Sequence, residues 1–191
     1  MKYIPKIDGE RVFLSPISLE DAERYALWLN DLSTTRFLQL STAQVTIHGE
    51  RDALVNLSKA HNYAIVERTS GELLGNCGLM DLDHLHRTAE IGIFIGEESM
   101  RGRGYGTEAM RLLADYAFNV LNINNLMLRT YDYNDRGLAS YHKLGFREIG
   151  RRRQARFYGG GFHDVVYMDL LAAEFGPSRL PPAREGARFP A

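Results

Sequence analysis

The chain has 191 residues, 45% of them hydrophobic and 25% charged, with a formal net charge of −1. That length fits one domain with a substantial core, and the near-neutral balance supplies no basic field to argue for nucleic acid. No apolar run approaches the length of a membrane span, and the single cysteine, Cys77, excludes an intrachain disulfide framework and most cysteine-based zinc sites.

In chain order, RVFLSPI (Arg11 to Ile17) alternates and predicts a strand ending at Pro16. Ser18 then predicts a helix N-cap, with Asp21 three residues on, close to a capping box. Leu19, Ala22, Tyr25, Ala26 and Leu29 recur at helical spacing. Ser33 to Ile47 shows no period, and His48 to His61 is a second helical pattern. The runs Asn62 to Arg68 and Leu73 to Asp83 read as strands joined by the turn signal TSGE. A third run, Thr88 to Gly96, follows HLHR. After a glycine-rich loop, a helix from Thr107 to about Leu121 carries an apolar stripe of Ala109, Leu113, Tyr116, Ala117 and Val120. Asn125 to Asp132 predicts a strand. The segment NDRGLASYHKLGF opens a further helix, which Gly145 ends as a left-handed residue. FREIGRRRQARFY and HDVVYMDLL supply two last strands around the turn YGGG. The tail, residues 176–191, is rich in Pro, Gly and Arg and is expected to be disordered, leaving 1–175 as the domain.

This order predicts a mixed α+β fold, one sheet with helices on both faces. The crossover from Ile91–Ile95 through the following helix to Leu126–Thr130 predicts a parallel pair. A ligand is expected at the carboxyl end of those strands. RGRGYG, Arg101 to Gly106, falls there, where a strand hands over to a helix N-terminus. Two readings stand: a tight turn, or an anion held on bare backbone amides with Arg101 and Arg103 as charged donors. The loop lacks the Gly-Lys-Ser/Thr ending of a P-loop and does not fit GxGxxG.

AEIGIFIGEESMRGRGYGTEAMRLLADYAF resembles the cofactor motif of the GNAT acyltransferase superfamily, Arg/Gln-x-x-Gly-x-Gly/Ala, met here by Arg101, Gly104 and Gly106. NDRGLASYHKLGF resembles that family's second motif through Asn134, Tyr141, Gly145 and Phe146. The resemblance runs from about Arg11 to Leu170 and is nearest the ribosomal-protein N-terminal and spermidine acetyltransferase branches. It implies a single GNAT-like domain: a mostly antiparallel twisted sheet whose central parallel pair splays to hold CoA. It also implies acetyl-CoA as donor and an amine-bearing acceptor. The lone cysteine and the absence of a signal core in MKYIPKIDGERVFL predict a cytoplasmic protein without a structural metal, and a homodimer stays open. The acceptor stays open among a peptide N-terminus, a polyamine and a small amino compound. A CoA-binding regulatory or interaction module without turnover is the alternative class.

The family arrangement assigns roles residue by residue. The CoA pyrophosphate is expected on the amides from Arg101 through Gly102, Arg103, Gly104, Tyr105 and Gly106 to Thr107. Pantetheine is expected along Ile93, Phe94 and Ile95. Asn134 is a cofactor contact, a helix cap, or both. Tyr141 is either the general acid for the departing thiolate or a core tyrosine beside Leu138 and Leu144. Glu90 is either a base acting through water or a salt-bridged strand carboxylate. The Phe37–Gln44 loop and the N-terminal helices are expected to shape the acceptor pocket.

The remaining clusters read more simply. DLDHLH, with Asp81, Asp83, His84 and His86, has a superficial metal pattern without a matching distant ligand set. Cys77 reads as a small apolar strand residue. Arg151 to Arg153 reads as a solvated strand edge with poor aromatic interleaving for nucleic acid.

Overall fold

The structure is a computed structural model, and it describes residues 2–181. Eight strands form one sheet: β1 (Ile7–Asp8), β2 (Val12–Pro16), β3 (Asn62–Glu67), β4 (Leu73–Asp83), β5 (Thr88–Ile95), β6 (Asn125–Tyr131), β7 (Arg147–Tyr158) and β8 (Gly161–Leu171), in the order β1-β2-β3-β4-β5-β6-β8-β7. Among the described residues only β5 and β6 pair in parallel; every other neighbouring pair is antiparallel. The helices are α1 (Ala22–Asn30), α2 (Leu32–Thr35), α3 (Ile47–Leu57), α4 (Tyr105–Asn119) and α5 (Asp135–Leu144).

Strand alternation divides the core in two. Ala64, Val66 and Leu73 point to one face, where they meet Ile17, Ala22, Tyr25, Trp28 and Leu54 from the α1–α3 side. Ile65 and Leu74, one step along, point to the other face, with Ile91, Leu126 and Met168, under Ala109, Leu113 and Ala117 of α4. Leu113 is fully buried, so Leu113→Ala would cost about 2–5 kcal/mol. Cys77 lies in this second core, 1% exposed, and burial pushes its thiol pKa up, which keeps it unreactive.

Local chemistry sets the helix ends. Ser18 Oγ accepts from Glu20 N–H, and a 3-10 turn over Leu19–Asp21 leads into α1. Thr46 Oγ1 accepts from Gly49 N–H at 3.0 Å at the start of α3. Gly145 ends α5 at φ 102°, as the sequence predicts.

Three details differ from the sequence reading. Strand β1 is too short to carry a periodic signal. Helix α4 starts at Tyr105 rather than Thr107. Val120 is 55% exposed instead of completing the apolar stripe. The helix ends at Asn119, the chain turns through Asn122 at φ 58°, and Ile123 takes the core position. Of the tail, 176–181 is irregular but anchored: Arg179 N–H donates to Asp115 Oδ2 at 2.7 Å, and Leu180 packs on the α4 core. Residues 182–191, the rest of the segment expected to be disordered, lie outside the described residues.

Candidate active site

The parallel pair is brief. Thr88, Ala89 and Glu90 register with Asn125, Leu126 and Met127, and the ladder stops there. Beyond that point Ile91–Ile95 pairs only with β4, and Leu128–Tyr131 only with β8. The two central strands therefore diverge and leave one backbone edge of β5 without a strand partner. A cavity of about 1050 Å³ fills the fork and reaches from the glycine loop, along Ile93, Phe94 and Ile95, to the space under α3.

At the loop, Gly102 and Gly104 hold φ of 77° and 89°, a region that side-chain-bearing residues avoid. Gly104 is the N-cap of the 15-residue α4 and supplies no side-chain cap, so the first amides of that helix have no side-chain acceptor at the cap. Gly106 is different. A Cβ there would meet Ile95 and Ile93 only at ordinary contact distances of 3.5 and 3.6 Å. Protein packing does not require this glycine, and a small residue here leaves clearance beside the β5 edge. An uncapped helix N-terminus and clearance for a ligand backbone together fit a pyrophosphate carried on an extended arm.

The loop is held from three sides. Arg101 Nε donates to Ile95 O at 2.9 Å, and its Nη2 donates to Gly96 O at 2.8 Å and Thr34 Oγ1 at 2.6 Å. This guanidinium thus braces the loop against β5 and α2, a different task from the anion donor expected of it. Arg103 is exposed, and its carbonyl accepts from Arg11 Nη1 at 2.7 Å. The Arg11 guanidinium also covers the Tyr105 ring at 4.4 Å. From the third side, Thr107 and Ser140 share a hydroxyl–hydroxyl bond between α4 and α5.

Asn134 caps α5. Its Oδ1 accepts from Gly137 N–H at 3.2 Å, and its Nδ2 donates to Thr130 Oγ1 at 3.0 Å, tying the helix to the end of β6. In the next turn, Arg136 Nη1 lies 3.6 Å from the point a Gly102 Cβ would occupy. Arg136 lines the cavity and is a cationic donor beside the loop that sequence reasoning missed. Its place in the first turn after a capping asparagine was the available signal.

Tyr141 and Glu90 both line the cavity. Tyr141 lies edge-on to Phe146, with ring centroids 6.3 Å apart, and burial pushes its pKa up to about 12, so the hydroxyl is protonated at neutral pH. Glu90 is 7% exposed, and its Oε1 accepts from Arg129 Nε at 2.9 Å. Phe37, Leu38, Gln39 and Leu40 also line the cavity. Tyr133 fastens that loop: its hydroxyl donates to Arg36 O at 2.7 Å, and its ring stacks on Tyr131 at 5.4 Å.

Of the other sequence clusters, DLDHLH stays outside the site, and of Arg151 to Arg153 only Arg152 lines the cavity. Arg151 pairs with Glu148 at 2.6 Å on the edge strand β7. Asp83 Oδ1 accepts from His86 N–H at 2.8 Å. Among the described residues no three His, Cys, Asp or Glu side chains converge as metal ligands, and no helix is long and apolar enough to cross a membrane.

A mixed sheet forked at its one parallel pair, with a glycine loop and helix N-terminus at the fork's mouth, defines an acetyltransferase domain. The chain belongs to the GNAT acetyltransferase family: the model of the acetyltransferase (GNAT) domain matches residues 11–147. The spermidine N(1)-acetyltransferase of Escherichia coli (strain K12) is 30% identical over 132 residues, 65% of this chain and 70% of that protein. YdaF of Bacillus subtilis (strain 168), named provisionally as a ribosomal N-acetyltransferase, is 37% identical over 105 residues, 55% of this chain and 57% of that protein. The crystal structure of spermidine N-acetyltransferase from Vibrio cholerae in complex with CoA and spermine superposes with a TM-score of 0.78 at 19% identity, covering 87% of this chain and 98% of that one; at that identity the likeness concerns the fold.

Proposed function

We propose that this chain transfers the acetyl group of acetyl-CoA to the primary amine of a peptide N-terminus, a polyamine or a small amino compound, by direct attack with both substrates bound. One observation carries the reading. The unpaired β5 edge at Ile91–Ile95 and the uncapped N-terminus of α4 open onto one cavity, which continues to Glu90 and Tyr141.

Acetyl-CoA supplies an activated acetyl thioester. The residues of the chain bind it, orient it and move protons. Gly102, Gly104, Tyr105, Gly106 and Thr107 hold the phosphates on backbone amides, with Arg136 as the nearby cation and Arg101 as the brace. Ile93, Phe94 and Ile95 offer backbone groups to an extended amide-bearing arm. A carbon–nitrogen bond forms as the carbon–sulfur bond breaks, so the amine loses a proton and the thiolate gains one. Tyr141, protonated at working pH, donates to the sulfur. The amine's proton leaves to water at the fork, where Glu90, held by Arg129, either accepts it through that water or only orients the water and the acceptor side.

The names of the relatives cited above support an amine acceptor of the ribosomal or polyamine kind. A single buried thiol and acetyl-CoA as donor fit a cytoplasmic site of action. The test is acetyl-CoA-dependent mass gain across a panel of peptide N-termini, polyamines and aminoglycosides. Tight CoA binding with no mass gain on any amine would favour the alternative, a regulatory CoA-binding module.

A further inference from the structure

Under α1 and α3 two glycines face each other across the sheet, and the Asn62 and Met80 side chains pack over them. Gly78 of β4 stands opposite Gly92 of β5, between the pairs Asn76–Phe94 and Met80–Glu90. Residues two apart on a strand share a face, so these six side-chain positions line one surface. Phe94 shows which surface it is, because its ring lies edge-on to Tyr25 and Trp28 of α1. All six residues line the cavity. A Cβ at Gly92 would meet Met80 Cε at 3.0 Å, and one at Gly78 would collide with the Asn62 side chain. The two glycines form the floor of the acceptor end.

Glu50 borders this space from the first turn of α3, beside Ala53 and Leu57. It is 5% exposed, and no hydrogen bond or charge from the described residues supports its carboxylate. Tyr25 comes from α1, with its hydroxyl donating to Gly75 O at 3.3 Å. Asp21, just before α1, is held by Lys2 and by Tyr3. Asn62 and Asn76, from β3 and β4, are neutral. Glu90 on β5 is covered by Arg129. The cavity's cations stand elsewhere: Arg101 by the loop, Arg129 on β6, Arg136 and Lys143 on α5, Arg152 and Arg156 on β7. A buried carboxylate without a partner is unfavourable until a cation completes it.

We propose that Glu50 receives the ammonium group of the acceptor and is a specificity-determining residue of the acetyl transfer described above, on which this inference rests. The acceptor amine arrives protonated, meets the one cavity carboxylate that no described cation neutralises, and sheds that proton to water before it attacks as the free amine. Burial pushes the Glu50 pKa up to about 7, so the site gains its charge as pH rises through neutrality. Amine binding therefore strengthens from pH 6 to pH 8.

The probes are spermidine and a tetrapeptide with a free N-terminus. Steady-state kinetics gives KM and kcat, and calorimetry gives Kd for each amine and for CoA on the same protein. In Glu50→Gln, KM and Kd for the amine rise about tenfold or more at pH 8, the scale of a truncated buried charge pair. The CoA affinity holds, which reports an intact fold, kcat changes far less, and the gain in amine affinity from pH 6 to pH 8 disappears. Glu50→Asp restores part of the affinity. Unchanged amine KM and Kd in Glu50→Gln overturn the proposal, as does a wild type that binds neither probe. Glu50-dependent amine binding without acetylation leaves the ammonium site at Glu50 standing and removes the transfer reading. Acetylation with Glu50-independent KM does the reverse.

Discussion

Glu90 and Arg129 meet at the last rung of the parallel ladder: Glu90 registers with Met127, and its Oε1 accepts from Arg129 Nε at 2.9 Å two residues further along β6. The ion pair thus spans the two strands where they begin to separate. Arg129→Ala leaves a Glu90 carboxylate that is only 8% exposed without its partner. Stability should fall by about 1–2 kcal/mol, the lower range for a charged hydrogen bond because Arg129 itself is partly exposed. Glu90→Gln, which keeps an acceptor for Arg129, should cost less. Urea unfolding midpoints check both, and equal midpoints in wild type and Arg129→Ala contradict the bracing role. A pH–rate profile of Glu90→Gln separates positioning from proton removal. Positioning predicts a profile parallel to wild type; proton removal predicts partial recovery at high pH, where more of the amine is already neutral.

Gly106→Leu separates ligand clearance from backbone need, with Gly106→Ala as its control. The cofactor motif accepts alanine here, an added methyl meets only Ile95 and Ile93 at ordinary distances, and alanine favours a helix by up to about 1 kcal/mol over glycine. Gly106→Ala should therefore hold or gain stability and keep its acetyl-CoA affinity, while the longer leucine side chain should lower that affinity about tenfold, or 1.4 kcal/mol. Gly104→Ala should instead cost roughly 1–2 kcal/mol of stability, because its φ of 89° is strained for any side chain. Calorimetry and thermal melts on the three variants read the differences; unaltered affinity in Gly106→Leu contradicts a ligand beside that residue.

Much of this frame was legible in the sequence. The three glycines of RGRGYG mark the loop, and Gly145 marks the end of α5 through its left-handed conformation. Charged side chains were less legible, because spacing does not reveal tertiary partners. Arg101 looks like an anion donor until Ile95, Gly96 and Thr34 are seen to occupy its guanidinium. Glu50 sits among polar residues in a helix that looks solvated, and only the packing of α3 over the sheet buries it. Asn134 was left between two roles, and its hydrogen bonds to Gly137 and Thr130 show the cap.

Tyr141→Phe should reduce turnover about 100-fold, the usual scale for a lost general acid. The melting temperature should change little, since only the hydroxyl is removed. Burial raises the Tyr141 pKa from 10.0 to about 12. A raised pKa means that the associated stability is complete below pH 10 and is lost as pH climbs toward 12. Tyr141 therefore imposes no alkaline limb on the rate below about pH 10. Full activity of the variant with a chemistry-limited acceptor would assign the residue to packing alone.

Glu50→Gln should stabilise the free protein above neutral pH. With its folded pKa raised to about 7 from 4.5, Glu50 binds a proton more tightly in the native state. Its contribution is complete below pH 4.5 and is lost as pH rises through 7. The variant should match wild type near pH 4 and exceed it by roughly 1–3 kcal/mol at pH 8. Unfolding curves at the two pH values decide it; a variant equally or less stable at pH 8 contradicts an unpartnered buried carboxylate.

The most direct measurement of the central claim is mass spectrometry of acetyl-CoA-dependent acetylation over peptide N-termini, polyamines and aminoglycosides, run with wild type, Gly106→Leu and Tyr141→Phe. The fork, loop and Tyr141 predict a gain of one acetyl group on at least one amine class, with stoichiometric release of CoA and strong attenuation in both variants. No acetylated amine from a wild type that binds acetyl-CoA, or equal product from all three proteins, would contradict it.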